Sequence, residues 1–416
     1  MSGDTFYDAL ETRDPAEREA ALLAALSAQV AHAQASSPAY TELLAGVDAA
    51  AITSREALAS LPLTRKSSLA AAQSARRSLR LGGYAAGAPR RIFQSPGPLY
   101  EPEPDADALD PWRIARAMHA AGIRVGQLAH VGFSYHLTPA GAMMEAGLRA
   151  IGAASVPGGV GNTELQLQAL LDLQPEAYAG TPSLLRILLD KAAEGGHALP
   201  WLQRALVSGE ACPPALVAWF AERGVDVYQC YATADLGLIA FETAAREGLV
   251  LAEGILVEIV RPGSGDPLPD GEVGEVVVTT LSPGYPLIRF ATGDLSAVMP
   301  GASPCGRTHQ RLRGWLGRAD QSAKVRGMFV HAGQVAEVLK RHPDVARARL
   351  VISGELAQDQ AALQVEMRGE MWKPTTPGLV ESLMQTVRDL SKLRVEVELL
   401  PPGSLPNDGK LIEDRR

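Results

Sequence analysis

A chain of 416 residues, 46% hydrophobic and 21% charged, has the make-up of a globular protein of two or three domains. Its formal net charge of -8 excludes a global preference for nucleic acid or an anionic membrane surface, while leaving room for a local basic patch that holds an anion. Cys212, Cys230 and Cys305 are odd in number and far apart, which excludes a disulfide framework and fits a reducing cytoplasm. Cys305 with His309 falls short of the four ligands of a structural zinc site.

The N-terminal MSGDTFYDALETRD is acidic and lacks the apolar segment of a signal peptide. No run of about 18 apolar residues occurs, so no membrane span is expected. In chain order, residues 15–35 predict a helix with an acidic start, and 69–75 a second, Ala-rich one. From 105 onward helices and strands alternate. Helices are predicted at 105–121, 139–150 and 163–173, and strands at 128–133, 153–156 and 177–179. Thr181-Pro182 reads as an N-cap and first turn of a helix to 193. Strands at 204–207 and 225–228 flank a helix begun by Pro213-Pro214. This alternation predicts a mostly parallel α/β core. Beyond Leu236 the pattern turns β-rich, with strands at 255–260 and 272–281 separated by PGSGDPLPDG, an appended antiparallel subdomain. After GWLGRAD come a strand (323–326), a helix (334–341), strands (348–352, 361–367), a helix (377–390) and a strand (395–399). The expected layout is therefore a large domain, 1–317, and a small α+β domain, 318–416.

One stretch concentrates chemistry: PLIRFATGDLS, 286–296. Leu287, Ile288 and Phe290 read as the end of a buried strand, and Gly293 as a permissive turn position. Asp294 could then accept two hydrogen bonds from a vicinal diol such as a ribose, or be an ordinary solvated turn acid. Around it stand, in order, GEACP, YATADLG, GRADQSAKVRG and LPNDGK.

With these five motifs, and with HVGFSYHLTPAGAMMEAGLRAIGAASVPGG and AYAGTPSLLRILL before them, the chain resembles the adenylate-forming acyl-CoA synthetases, and within them the phenylacetate-CoA ligase group. The resemblance implies an enzyme that activates an aryl or arylacetic carboxylic acid with ATP through an acyl-adenylate, and then forms a thioester with coenzyme A. A small lid domain that rotates between the steps and a homodimer are also implied. It further implies that Asp294 binds the ribose, that Tyr231 stacks on adenine and that Gly209-Glu210 lie along the nucleotide. Tyr231 could equally be a core residue and Arg318 a surface ion pair. Asp235 stands where the family has a Glu that contacts Mg²⁺, and Asp is also a hard oxygen ligand. Ala234 replaces a hydroxyl residue. Arg318 and Asp320 match the hinge, and Lys324 to Gly327 the loop that enters for the thioester step. Lys410 matches the catalytic lysine, whose ammonium can reach carboxylate and phosphate oxygens. By the same likeness Phe133, Tyr135, His136, Gly158, Gly159 and Ala211 line the acyl pocket, suited to a flat ring.

One segment departs. Where the family has a Ser/Thr/Gly-rich phosphate loop, this chain reads RRIFQSPGPLYEP, residues 90–102. A phosphate nest needs successive backbone N–H groups, and Pro96 and Pro98 supply none. Ser95 and Gly97 alone keep the style, which leaves two readings open: phosphates held in another way, or a fold turned to binding acyl-adenylate or acyl-CoA. The thiol acceptor, coenzyme A or a carrier protein, is left open as well, because both present the same arm.

Overall fold

The computed structural model describes residues 5–77, 80–95, 97–261, 264–316, 318–319, 322–325, 328–354, 359–368, 378–406 and 410–416. The chain divides into two compact units, Met1–Thr292 with Ser296–Trp315, and Gly293–Leu295 with Leu316–Arg416.

The first unit opens on helix Pro15–Ser36. Asp14 caps it by accepting from the Ala16 and Glu17 N–H groups at 2.8 and 3.2 Å, and Pro15 fills the first position, where no N–H is needed. Its framework is a nine-stranded sheet. Five strands run parallel side by side: Ala154–Val156, Leu128–Gly132, Ala177–Gly180, Arg204–Val207 and Asp226–Thr233. Gly237–Glu242, Leu249–Leu251, Arg311–Leu312 and Val298–Met299 continue it antiparallel. The inner strands Leu128–Gly132, Ala177–Gly180 and Arg204–Val207 are short and mostly apolar, as strands covered on both faces are. Helices Ala140–Ala150, Thr163–Leu173, Pro182–Glu194 and Pro214–Ala221 make the crossovers. Thr181 caps Pro182–Glu194 by accepting from the Leu184 N–H. A four-stranded sheet, ordered Thr64–Arg65, Phe290–Ser296, Gly274–Thr280 and Ile255–Val260, is the β-rich part. One continuous core of Trp112, Tyr40, Phe241, Leu206, Val278 and their neighbours joins the layers.

The second unit has its own core, built on Leu350, Leu363, Val365, Leu383 and Val387. A four-stranded sheet, Glu396–Leu400, Gln360–Met367, Val345–Ser353 and Ile412–Asp414, lies with helices Ala332–Arg341 and Leu379–Ser391. Among the described residues no helix is long and apolar enough to cross a membrane.

Two expectations are corrected. Residues 105–121 do not form one helix: only Ala115–Ala120 is helical. Asp110 accepts from the Ile114 and Ala115 N–H groups at 3.0 and 2.7 Å, and Arg113 takes a left-handed φ of 66°, so the chain restarts there. Nor does a strand end before Asp294. The strand begins at Phe290 and carries Asp294 inside it, with Gly293 at φ 75°. Arg289 turns the chain into it at φ 45°, held by a buried two-pronged ion pair to Glu258 at 3.0 and 3.1 Å and by the Ala59, Leu61 and Gly265 carbonyls.

Candidate active site

The carboxyl ends of parallel strands are where α/β folds bind ligands. Gly209 and Glu210 follow strand Arg204–Val207 and are exposed. Gly209 has φ 80°, a left-handed conformation that favours glycine, and it lies beside the Phe133 ring. Ser208 donates to the Cys230 carbonyl at 2.7 Å and ties this loop to strand Asp226–Thr233. That strand carries Tyr231, half-buried, at a bulge between Tyr231 and Ala232.

Asp235 sits in the three-residue turn between strands Asp226–Thr233 and Gly237–Glu242. Thr233 Oγ1 accepts from the Leu236 N–H, and Gly237 closes the turn at φ 74°. The Leu238 N–H donates to the Trp112 carbonyl at 3.0 Å, which seats the turn on the core. The fold therefore holds Asp235 inward, 5% exposed.

The expected phosphate segment is a β-hairpin, Ile92–Ser95 with Leu99–Pro102. Gln73 pins it from helix Lys66–Ala75: its amide donates to the Tyr100 carbonyl at 2.7 Å and accepts from the Tyr100 N–H at 2.8 Å. Strand alternation then points Leu99 and Glu101 inward. Ser95 is buried and donates its hydroxyl to Glu101 Oε1 at 2.7 Å. Lys66, the first residue of its helix, places Nζ 3.0 Å from Asp235 Oδ2 and 3.8 Å from Glu101 Oε1. A cation at a helix N-terminus opposes the macrodipole, so these two acids are what hold it there. Burial, and then the charge of Asp235, pushes the Glu101 carboxyl well above its ordinary range. Asp235 Oδ1, Glu101 Oε2 and the Tyr285 hydroxyl are all buried without a hydrogen-bond partner. Among the described residues no group of three His, Cys, Asp or Glu gathers for a metal. Mg²⁺ does not need one, since one or two carboxylates suffice when water and phosphate complete its shell.

In the second unit Asp294 Oδ1 and Arg318 form an ion pair at 3.0 Å, and the two residues form a β-bridge. The Ala319 N–H donates to the Gly293 carbonyl at 2.6 Å. Lys410 is exposed, with its carbonyl accepting from Arg349 Nε at 3.1 Å. Asp320 lies outside the described residues, as do Arg326 and Gly327.

The acyl-pocket candidates do not converge on one point. Phe133 lies beside Gly209, whereas the Tyr135 ring covers Gly141. A Cβ on Gly158 would lie 2.4 Å from His130, whose Nε2 is 2.8 Å from Gln166 Oε1. His136 is exposed, its backbone N–H donating to Ser134 Oγ at 3.1 Å, and Ala211 is exposed. Gly159 has φ 72°, with open space where a Cβ would go. Sequence reasoning missed Lys66, Glu101 and Tyr285. The signal for Glu101 was there: a lone acid at an inward position of LYEP, two residues from Leu99.

Residues 152–285 match the AMP-binding enzyme family. A phenylacetate-coenzyme A ligase of Thermus thermophilus is 30% identical over 411 residues, 90% of this chain and 91% of its own length. The Escherichia coli protein of the same name is 28% identical over 321 residues, covering 73% and 72%. Among solved structures, 2-hydroxyisobutyryl-CoA ligase in complex with 2-HIB-AMP and CoA superposes with a TM-score of 0.78 at 25% identity, covering 100% of this chain and 93% of that one.

Proposed function

The chain belongs to the phenylacetate-coenzyme A ligase family, and we propose that it joins an aryl or arylacetic acid to coenzyme A, using ATP, through an acyl-adenylate. The acid's carboxylate attacks the α-phosphorus and pyrophosphate leaves. The thiol of coenzyme A then loses its proton and attacks the acyl carbon, and AMP leaves with the electron pair of the broken acyl C–O bond. Each step builds negative charge on oxygen, so the protein's task is to place donors and cations where that charge grows.

The observation that carries this reading is Asp235. It is buried at the carboxyl end of the parallel strands, with one oxygen on Lys66 and the other without a protein partner. A hard cation fits that oxygen, and Mg²⁺, when bound, would neutralise phosphate charge there. Tyr231 and Gly209-Glu210 are assigned to the nucleotide base and Asp294 to the ribose, with Arg318 orienting Asp294 through their ion pair. Lys410 is assigned the charge of the adenylation step. The units 1–317 and 318–416 act as the adenylating domain and its lid, and Asp320 as part of the hinge. Phe133 beside Gly209 supports a flat acyl group. A dimer and a cytoplasmic site are part of the proposal, the latter supported by three unpaired cysteines.

The hairpin at 92–102 favours a second reading. It presents Glu101 where a phosphate loop would present N–H donors, as a protein that binds acyl-adenylate without making it could. Incubation with ATP, Mg²⁺, coenzyme A and a panel of aryl and arylacetic acids separates the two. The ligase yields an acyl-CoA and AMP with at least one acid. Calorimetric nucleotide binding without product for any acid favours the binder.

A further inference from the structure

Two ionised acids and one ammonium would leave the cluster with one uncompensated negative charge. Lys66 faces Asp235 at 3.0 Å and Glu101 only at 3.8 Å. Ser95 satisfies one oxygen of Glu101. The other oxygen of Glu101 and the Oδ1 of Asp235 are buried with nothing to donate to them, and the Tyr285 hydroxyl is buried unpaired as well. Tyr285 lies near enough that, after burial itself, the charges of Asp235 and Glu101 raise its phenol. A side chain only 1% exposed is costly to hold as an anion, so burial and Asp235 favour the protonated form of Glu101 unless a cation joins the pair. The chemistry of the donors says which cation would suit the pair. They are oxygens from two carboxylates, with a hydroxyl nearby that can bind water, which is the donor set of Mg²⁺ or Mn²⁺.

We infer that Glu101 is a second carboxylate ligand beside Asp235, so that the hairpin replaces a phosphate loop with a two-carboxylate divalent-cation site that fills before nucleotide arrives. The elements that set the pair are independent: Glu101 comes from strand Leu99–Pro102 and Asp235 from the turn ahead of Gly237–Glu242. Lys66 is the counter-ion of the two acids and would compete with the metal for them. The bound cation would then face the nucleotide as the positive group that Pro96 and Pro98, having no N–H, do not supply. The inference takes from the proposed ligase reading only that Asp235 meets a divalent cation.

The test is Mn²⁺ binding by the full chain without nucleotide, read by electron paramagnetic resonance of the free ion. Wild type should bind one Mn²⁺ with a Kd at or below about 1 mM, the weak end for protein carboxylate sites. Glu101→Gln, close in shape, should weaken this by roughly 10- to 100-fold, the range that loss of even an outer partner of a metal site costs. Lys66→Met, which keeps both acids and removes the competitor, should tighten it. Circular dichroism checks that each variant is folded, and Lys66→Met keeps the test decisive if Glu101→Gln is not. Absence of saturable Mn²⁺ binding in wild type, or binding unchanged by Glu101→Gln in a folded protein, overturns the inference. So does a Lys66→Met variant that binds more weakly. Mn²⁺ binding without any acyl-CoA product would sink the ligase reading alone, and product without nucleotide-free Mn²⁺ binding would sink this inference alone.

Discussion

Asp294 is held by Arg318 at 3.0 Å with its side chain 10% exposed. A carboxylate offers about four acceptor directions, and the ion pair fixes how they are aimed. Asp294→Asn keeps the shape and removes the charge. A hydrogen bond to a charged group is worth about 1.5–3 kcal/mol, so the KM for ATP should rise roughly 10- to 100-fold. Steady-state kinetics at saturating acid reads this, and an unchanged KM would detach Asp294 from the nucleotide. His309 makes a prediction about stability. Burial, then the charges of Arg18, Arg55 and Arg13, lower its pKa from 6.5 to about 3, while its Nδ1 accepts from the Gln310 N–H at 2.9 Å. The unfolded chain takes up a proton here near pH 6.5 and the folded chain does not until about pH 3. The group therefore costs nothing above pH 6.5, and stability falls as pH drops from there toward 3. Urea midpoints measured between pH 7 and pH 5 should decline, and His309→Asn should flatten that decline. An identical slope in the variant would contradict it.

At the scale of elements, the turn that carries Asp235 depends on Gly237. A Cβ there would lie 2.8 Å from the Trp112 carbonyl oxygen, and φ is 74°. Gly237→Ala should cost roughly 1–3 kcal/mol, the usual price of such strain, and lower the thermal midpoint. A midpoint equal to wild type would mean the turn relaxes freely. The parallel strands were legible because three to six mostly apolar residues bounded by turn signals have few other readings. Strand Arg204–Val207 and helix Thr163–Leu173 run over the residues that periodicity predicts. The segment before Ala115 was not legible, because Asp110 caps the helix from inside an apparently helical run. The phosphate-side hairpin was visible only as two prolines. What it builds depends on Gln73, Lys66 and Asp235, which approach it from 27 residues away and more, and no local pattern records that. The nucleotide-side residues Gly209, Tyr231 and Asp235 were found through motif order. The acyl-pocket candidates came from likeness alone, and the structure distributes them around Phe133, Gly141 and His130.

At the scale of the molecule, two cores divide the work. The first unit packs around Trp112, Phe241 and Leu206, and the second around Leu350, Leu363 and Leu383. The residues assigned to phosphate and base, Lys66, Glu101, Tyr231 and Asp235, belong to the first. Asp294, Arg318 and Lys410 belong to the second. A reaction in two steps with different catalytic demands suits a chain whose catalytic groups are carried by separate cores. Formation of an acyl-adenylate by this chain is read by exchange of labelled pyrophosphate into ATP, which needs no coenzyme A. Wild type should exchange only when an aryl or arylacetic acid is present, and Lys410→Ala should lose at least about 100-fold of that rate. Exchange that is absent for every acid, or that persists undiminished in Lys410→Ala, would contradict the account.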